Sequence, residues 1–213
     1  MRLPRFIFLF VLTGLTLRAT DGSLTVRVQH GEMPLADAVV SLTPLDATLP
    51  LPAVFPAVTI AQEDKEFDPY VTPVMTGTRV NFPNRDNVQH HIYSLSKPKR
   101  FEKPLYASGA SESVLFDLPG VVALGCNIHD WMIGYIVILP TPWFAKSDTG
   151  GSAVVSGFPA GRYRLEVWHP RLAKPVTREV TLAAGENPAE AFTLQLKPDR
   201  RIRRTTDGRP GGY

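Results

Sequence analysis

Alternation between apolar and polar positions runs through most of the chain and predicts β-strands. Leu24, Val26 and Val28 are separated by polar residues, which is the period of a strand with one buried face. Residues 162–167 and 192–195 alternate in the same way. Two uninterrupted apolar runs, residues 121–124 and 135–139, are typical of strands that are buried on both faces.

Residues that favour turns separate these segments. Clusters of Gly, Pro, Asn and Asp occur at residues 82–87, 148–151, 159–161 and 185–188. Twenty prolines leave little room for long helices. Short strands at regular spacing therefore predict an all-β protein of the β-sandwich type.

The first nineteen residues form a segment of a different kind. Arg2 and Arg5 precede an apolar run, residues 6–12, and a small residue, Ala19, follows. This order predicts a secretory signal peptide over residues 1–19 with cleavage near Ala19. The run is short for a membrane span, although an uncleaved anchor is the alternative. We expect a periplasmic or secreted protein with no stable membrane span after the signal peptide is removed.

The distribution of charge argues against a nucleic-acid-binding protein. The net charge of +3 arises from 23 basic and 20 acidic residues. Residues 1–19 carry three arginines and no acid, and residues 197–213 carry a surplus of +4, so residues 20–196 are at −4. A nucleic-acid-binding domain would carry its positive charge on the folded body. Residues 197–213 are predicted to form a disordered basic tail.

The single cysteine, Cys126, lies between the two apolar runs. Exported proteins tend to pair their thiols, and Cys126 has no partner within the chain. It could form an intermolecular bridge, pack as a small buried residue, act as a reactive thiol or bind a metal. His129 and Met132 follow it at the spacing Cys-x2-His-x2-Met. Thiolate, imidazole and thioether in one loop favour copper, although a methionine before an apolar strand is also a common core residue.

A trigonal copper site with two histidines, one cysteine and a weak axial methionine needs a second imidazole. The upstream segment Asn-Arg-Asp-Asn-Val-Gln-His-His, residues 84–91, supplies two candidates, His90 and His91. Successive residues of a strand point to opposite faces, so without a bulge only one of the two can reach the same metal.

With these residues the chain resembles the cupredoxins, the blue copper proteins, and most closely their amicyanin and plastocyanin group. In that family the first histidine ligand follows a segment of the form V-x-F-x-N-x-D, and residues 80–86 read VNFPNRD. The other ligands share one loop, which here reads CNIHDWM. The chain is also similar to exported plastocyanin-like proteins described as methylamine utilisation proteins. The resemblance covers about residues 58–139. It implies one type 1 copper per chain, with the ligand set His90, Cys126, His129 and Met132.

The chain departs from the family at His91. The family has an asparagine directly after its first histidine ligand, and its side chain ties the two ligand-bearing loops together. Register with the family motif favours His90 over His91 as the ligand. His91 then either replaces the asparagine as a hydrogen-bond partner or faces solvent.

The segments on either side resemble a second sandwich. Residues 23–44, which include GEMPLADAVVSLTP, look like the opening strands of a carboxypeptidase-regulatory-like module, an immunoglobulin- or transthyretin-like β-sandwich. Residues 147–196, which include SDTGGSAVVSGFPAGRYRLEVWHP, look like its remaining strands. We therefore predict a discontinuous sandwich, residues 20–56 and 141–196, into which a cupredoxin Greek-key sandwich, residues 57–140, is inserted. The alternative is two sequential domains, with residues 23–44 in the first.

The functional prediction is a carrier of single electrons and not an enzyme. No acid–base pair, nucleophile triad or phosphate-binding loop accompanies the predicted site, and protein ligands fill its four positions. The resemblance implies that electrons leave at the edge of His129, beside an apolar surface of Trp131, Ile133 and Pro140. Exported partners such as a c-type cytochrome or an amine dehydrogenase would fit. The alternatives are copper storage or delivery, and a non-redox binding protein of the cell envelope.

Overall fold

The computed structural model describes residues 21–46 and 56–199, and within these ranges the chain folds into eighteen β-strands and no helix. The all-β prediction, with several sheets, is thus confirmed. The predicted signal peptide and residues 200–213 of the predicted tail lie outside the described residues. In the described part of the chain, no helix has the length and apolar character needed to cross a membrane.

The strands follow one another closely along the chain. They are β1 (Gly22–His30), β2 (Met33–Pro34), β3 (Val39–Pro44), β4 (Val58–Thr59), β5 (Ala61–Glu63), β6 (Glu66–Asp68), β7 (Val71–Met75), β8 (Thr78–Pro83), β9 (His90–Ser94), β10 (Phe101–Tyr106), β11 (Ser111–Phe116), β12 (Gly120–Gly125), β13 (Ile133–Leu139), β14 (Phe144–Lys146), β15 (Ser152–Phe158), β16 (Gly161–Trp168), β17 (Val176–Leu182) and β18 (Gly185–Thr193).

Strands β1–β3 near the start of the chain and β14–β18 near its end form two sheets that pack around one core. One sheet has the order β15-β1-β18, with β2 paired to β1, and the other has the order β14-β3-β16-β17. The alternation predicted for β1 is present, because every second side chain from Leu24 to Val28 is buried. Both sheets contribute to the core, which includes Leu24, Val26, Leu42, Val155, Phe158, Tyr163 and Leu165. Burial of this apolar surface is the main term that holds the two sheets together.

The middle strands form a second set of sheets. A five-stranded sheet has the order β10-β9-β12-β13-β7, a three-stranded sheet has the order β11-β8-β4, and β5 and β6 form a separate hairpin. Their core includes Phe82, Ile92, Phe116, Val122 and Ile136, together with Cys126 and Met132. The division into independently folding domains, residues 20–56 with 141–196 and residues 57–140, stays a prediction.

Strand β13 contacts both sets of sheets. Ile136 and Ile138 point into the second core, whereas Val137 and Leu139 join Val39 in a separate buried cluster. Tyr135 extends this contact, since its ring lies 5.8 Å from the ring of Trp168. The apolar run 135–139 is therefore buried on two faces, as predicted. The same prediction is wrong for residues 121–124, where β12 alternates and Ala123 is exposed.

The turn predicted at residues 185–188 is also wrong, because these residues open strand β18. The chain reverses just before them, and Gly185 adopts a left-handed backbone with φ of 82°. The side chain of Asn187 accepts a hydrogen bond from the backbone of Ala183 and donates one to the carbonyl of Ser23. The asparagine side chain, which is common in turns, thus links the start of β18 to the neighbouring strand β1 by a hydrogen bond.

Gly151 is a position where the backbone requires glycine. Its φ is 73°, and an added Cβ would lie 2.4 Å from the carbonyl oxygen of Val28. We expect Gly151→Ala to lower the free energy of unfolding by about 1–2 kcal/mol through backbone strain and by about 1–3 kcal/mol more through this overlap. Gly157 is the matched control, because its φ is 81° but an added Cβ would meet nothing within 4 Å. Denaturant unfolding of both variants measures the difference, and equal losses would contradict the assignment of the overlap.

Candidate metal centre

The loop that contains Cys126 is short because two strands of one hairpin flank it. Strand β12 ends at Gly125 and β13 begins at Ile133. Between them the backbone N–H of Met132 donates to the carbonyl of His129 at 2.9 Å, which closes a tight turn. Such a turn holds the side chains at 126, 129 and 132 near one another.

The hairpin is joined to β9 beside this loop. Gly125 pairs with Tyr93, and a Cβ added at Gly125 would lie 2.8 Å from the Tyr93 ring. A glycine here lets the Tyr93 side chain pack directly on the β12 backbone. The pairing brings His90, the first residue of β9, to the same end of the sheet as Cys126.

Three of the four predicted ligands meet at one point. The Sγ atom of Cys126 lies 3.9 Å from Nδ1 of His90 and 3.9 Å from Nδ1 of His129. The ligand atoms of the three residues all lie within 4.8 Å of one another. Cys126 and His90 are buried and His129 is partly buried, so His129 is the member of the group that reaches the surface.

Met132 is buried in the same core cluster as Cys126, with 1% of its surface exposed. Both residues also line one side of a cavity of about 490 Å³ that extends past Tyr93 and Tyr135. A place in the core agrees with either of the two roles considered for this methionine. Its role as an axial ligand therefore stays a prediction.

His90 and His91 have separate surroundings, as expected for successive residues of a strand. The Nε2 atom of His91 lies 2.8 Å from Oε1 of Glu102 and 3.4 Å from Nδ2 of Asn127. Asn127 directly follows Cys126, so His91 contacts the Cys126 loop through its side chain. This matches the alternative in which His91 takes the position of the family's asparagine. The choice of His90 as the ligand stays a prediction, which the contact with Cys126 supports.

The structure adds one residue to which the sequence assigned no role, Asp86. Its Oδ2 atom lies 2.6 Å from Nε2 of His90. An ionised carboxylate only accepts hydrogen bonds, so Nε2 carries the proton and Nδ1 presents its lone pair toward Cys126. The sequence signal was its place as the last residue of the V-x-F-x-N-x-D segment, four residues before His90, which marked the segment but gave the carboxylate no role.

Hydrogen bonds keep the Asp86 carboxyl ionised. Burial favours its neutral form, but hydrogen bonds from the Lys65 amide, the His90 ring and the Asp64 amide outweigh burial and hold the pKa of Asp86 below its usual value. The pKa of the neighbouring Tyr106 is raised instead of lowered, because burial and the negative charges of Glu112 and Cys126 disfavour its ionised form. Tyr106 thus stays a neutral donor, and its hydroxyl donates to the carbonyl of Phe82.

The spacing of the three ligand atoms fits a bound metal ion. An ion about 2.3 Å from a sulfur and about 2.0 Å from a nitrogen, in a trigonal arrangement, separates the two atoms by about 3.7 Å. The distances from Cys126 to both histidines are 3.9 Å. One thiolate, two imidazoles and a thioether make up the donor set of a blue copper site, and Met132 supplies a thioether in the same core cluster as Cys126. The residues therefore fit copper.

The surroundings of His129 are aromatic and apolar. Its ring lies 5.1 Å from the ring of Trp131, and Ile133 at the start of β13 is 36% exposed. Pro140 follows the far end of β13, roughly 23 Å from Ile133 along a seven-residue strand. It therefore cannot share one small apolar surface with Trp131 and Ile133, and that part of the prediction is wrong.

No protein-family model matches the chain, and neither does any curated protein. Solved structures do match. A purple cupredoxin from Nitrosopumilus maritimus is 23% identical, with 38% of this chain and 99% of that one covered and a TM-score of 0.35. An amicyanin variant in its Cu(I) form is 16% identical, with coverage of 46% and 99% and a TM-score of 0.38. A copper-containing nitrite reductase from Thermus scotoductus is 26% identical, with coverage of 46% and 25% and a TM-score of 0.38.

The names of two of these matches are cupredoxin and amicyanin, the group that the sequence motif resembles. Their TM-scores are low and each covers less than half of this chain. The assignment of the metal centre therefore rests on the positions of His90, Cys126 and His129 and on the chemistry of their donor atoms.

Proposed function

We propose that this protein is a type 1 copper protein that carries single electrons between exported redox partners. The observation that carries the proposal is the position of Cys126 Sγ, 3.9 Å from Nδ1 of both His90 and His129. Copper, when bound, supplies a couple that gains or loses one electron. Met132 is proposed as the axial ligand, which together with hydrogen bonds near the thiolate tunes the potential.

The chain's own residues restrict how much the site can rearrange. His90 has 0% of its surface exposed and begins a paired strand, and Cys126 is 4% exposed beside the β12–β13 hairpin. The ring of His90 is also held through its second nitrogen by Asp86. Ligands fixed in this way change position little between two oxidation states, which favours rapid electron transfer. His129 is the partly exposed member, so we propose its edge as the point where electrons enter and leave.

A visible spectrum of copper-loaded protein tests this proposal. We expect one copper per chain and an intense blue thiolate-to-copper band, and we expect Cys126→Ser to abolish that band. Asp130→Asn is the matched control, since Asp130 is an exposed residue of the same loop and the variant should retain the band. A colourless wild-type complex, or a band that survives Cys126→Ser, would rule the proposal out.

Two further measurements on the same preparation separate electron transfer from its alternatives. Reversible voltammetry supports a carrier, whereas poor reversibility with transfer of Cu(I) to an acceptor protein supports storage or delivery. Because one matched structure is a nitrite reductase, turnover of nitrite by the reduced protein would show an enzyme instead. A c-type cytochrome and an amine dehydrogenase are the proposed classes of partner, and a periplasmic or secreted location is proposed with them.

A further inference from the structure

The Asp86 carboxylate joins the proposed ligand His90 to a turn that lies far from it in the sequence. Its Oδ2 atom receives the Nε2–H of His90 at 2.6 Å and the backbone N–H of Lys65 at 2.9 Å. Its Oδ1 atom receives the backbone N–H of Asp64 at 2.8 Å. One partly buried carboxylate therefore makes three hydrogen bonds, and only one of its donors is a proposed ligand.

The turn between β5 and β6 has an unusual backbone. Asp64 and Lys65 both adopt the left-handed region, with φ of 53° and 60°, although neither is glycine. A two-residue hairpin turn of type I′ requires this conformation at both positions, and the sequences usually found there contain glycine or asparagine. The bonds to Asp86 satisfy both turn amides.

A second set of contacts fixes the hairpin against the same loop. The backbone N–H of Arg85 donates to the carbonyl of Gln62 at 2.8 Å, and its side chain lies 3.1 Å from Glu63. The position of the turn is thus set by the residue before Asp86 as well as by Asp86 itself. The two turn amides are in place to share the charge of the carboxylate with His90.

A carboxylate that accepts the outer N–H of a metal-binding imidazole makes the imidazole a better electron donor. It also fixes which nitrogen faces the metal, because Nε2 carries the proton and the lone pair of Nδ1 is available to the metal. Greater donation stabilises the more highly charged oxidation state, Cu(II), relative to Cu(I). The reduction potential of the site then falls.

We propose that Asp86 is a positioning residue that holds Nδ1 of His90 toward the metal and lowers the reduction potential of the bound copper. The Asp64–Lys65 turn moderates this effect by taking part of the hydrogen-bonding capacity of the carboxylate. The inference rests on the proposed function, because it concerns the potential of a copper that the four predicted ligands bind.

The neighbouring pair of His91 and Glu102 provides a matched control. It has the same chemistry, with Nε2 of His91 2.8 Å from Oε1 of Glu102. His91 lies outside the cluster formed by His90, Cys126 and His129, and the Glu102 side chain is 70% exposed. Loss of this second carboxylate removes the same charge from the adjacent histidine without changing the partner of His90.

The test compares Asp86→Asn with Glu102→Gln in the full-length, copper-loaded protein. We expect voltammetry to give a clearly more positive potential for Asp86→Asn, and a potential close to wild type for Glu102→Gln. In the reduced, diamagnetic protein, the Nε2–H resonance of His90 should be strongly deshielded and slow to exchange. That resonance should move upfield in Asp86→Asn and stay in place in Glu102→Gln.

Failure of this inference is distinct from failure of the proposed function. If Asp86→Asn keeps the blue band and the wild-type potential, or if Glu102→Gln shifts the potential as much, Asp86 does not have the proposed role although the copper site stands. If the wild type forms no blue complex, the proposed function fails first. The Nε2–H resonance of His90 is measured on the wild type, so this test does not depend on the folding of any variant. A rapidly exchanging, unshifted Nε2–H in the wild type would overturn the inference.

Discussion

Removal of the His90 side chain should abolish the blue band of the copper-loaded protein, whereas removal of His91 should preserve it. His90 presents Nδ1 to Cys126 at 3.9 Å, and His91 instead contacts Glu102 and Asn127. The expected loss of copper affinity in His90→Ala exceeds the roughly 10–100-fold that the loss of a partner outside the coordination sphere typically costs. His91→Ala should lose at most about that much.

Visible absorption and a competition titration with a chelator of known affinity measure both effects. The two variants are matched controls for each other, because the residues are adjacent, of one type and both buried. If His91→Ala lost the band and His90→Ala kept it, the proposed ligand set would be wrong at its first histidine. Equal losses in both variants would also contradict it.

Asn84→Ala should be the most destabilising alanine substitution in the loop that leads to His90. The Asn84 side chain is buried and donates to the carbonyls of Val88 and Tyr106, at 2.8 and 3.2 Å. Its Oδ1 atom accepts the backbone N–H of Asp86 at 3.0 Å. Alanine would leave these backbone groups unsatisfied, so we expect a loss of about 2–5 kcal/mol in the free energy of unfolding.

Denaturant unfolding of the apoprotein measures this loss. Asn84→Asp is the comparison variant: it retains the acceptor for the Asp86 amide, but it places a buried carboxylate oxygen against the carbonyls of Val88 and Tyr106, so a loss at least as large as that of alanine is expected. Copper affinity should fall in parallel, since the same hydrogen bonds hold the chain between Asp86 and His90. An alanine variant with wild-type stability would contradict this account of the loop.

The sequence predicted the strands because their period is local. Alternation in β1 and the β-branched run in β13 follow from side chains that point to opposite faces of a strand. Burial of β13 on both faces depends on Val39 and Trp168, which lie far away in the sequence. The apolar run was the only local feature of the sequence that indicated this burial. Residues 121–124 form a similar apolar run, but only Val121 packs against the cluster that contains Val39 and Ala123 is exposed, so the prediction was wrong there.

The loop residues Cys126, His129 and Met132 could be selected from the sequence, because their spacing within one short loop carries the chemistry. Asp86 could not be selected in this way. The V-x-F-x-N-x-D segment contains this aspartate but does not show its contacts. Its role depends on the hydrogen bonds that Oδ2 receives from the Lys65 amide, in the turn between β5 and β6, and from Nε2 of His90. The separation of His91 from the site became visible only through its contact with Glu102.

The most direct measurement of the central claim is a crystal structure of the copper-loaded protein with anomalous data collected at the copper absorption edge. We predict one copper peak per chain, within bonding distance of Nδ1 of His90, Sγ of Cys126 and Nδ1 of His129, with the sulfur of Met132 at a longer distance. A copper peak at His91 and Glu102, or anywhere away from Cys126, would contradict the account.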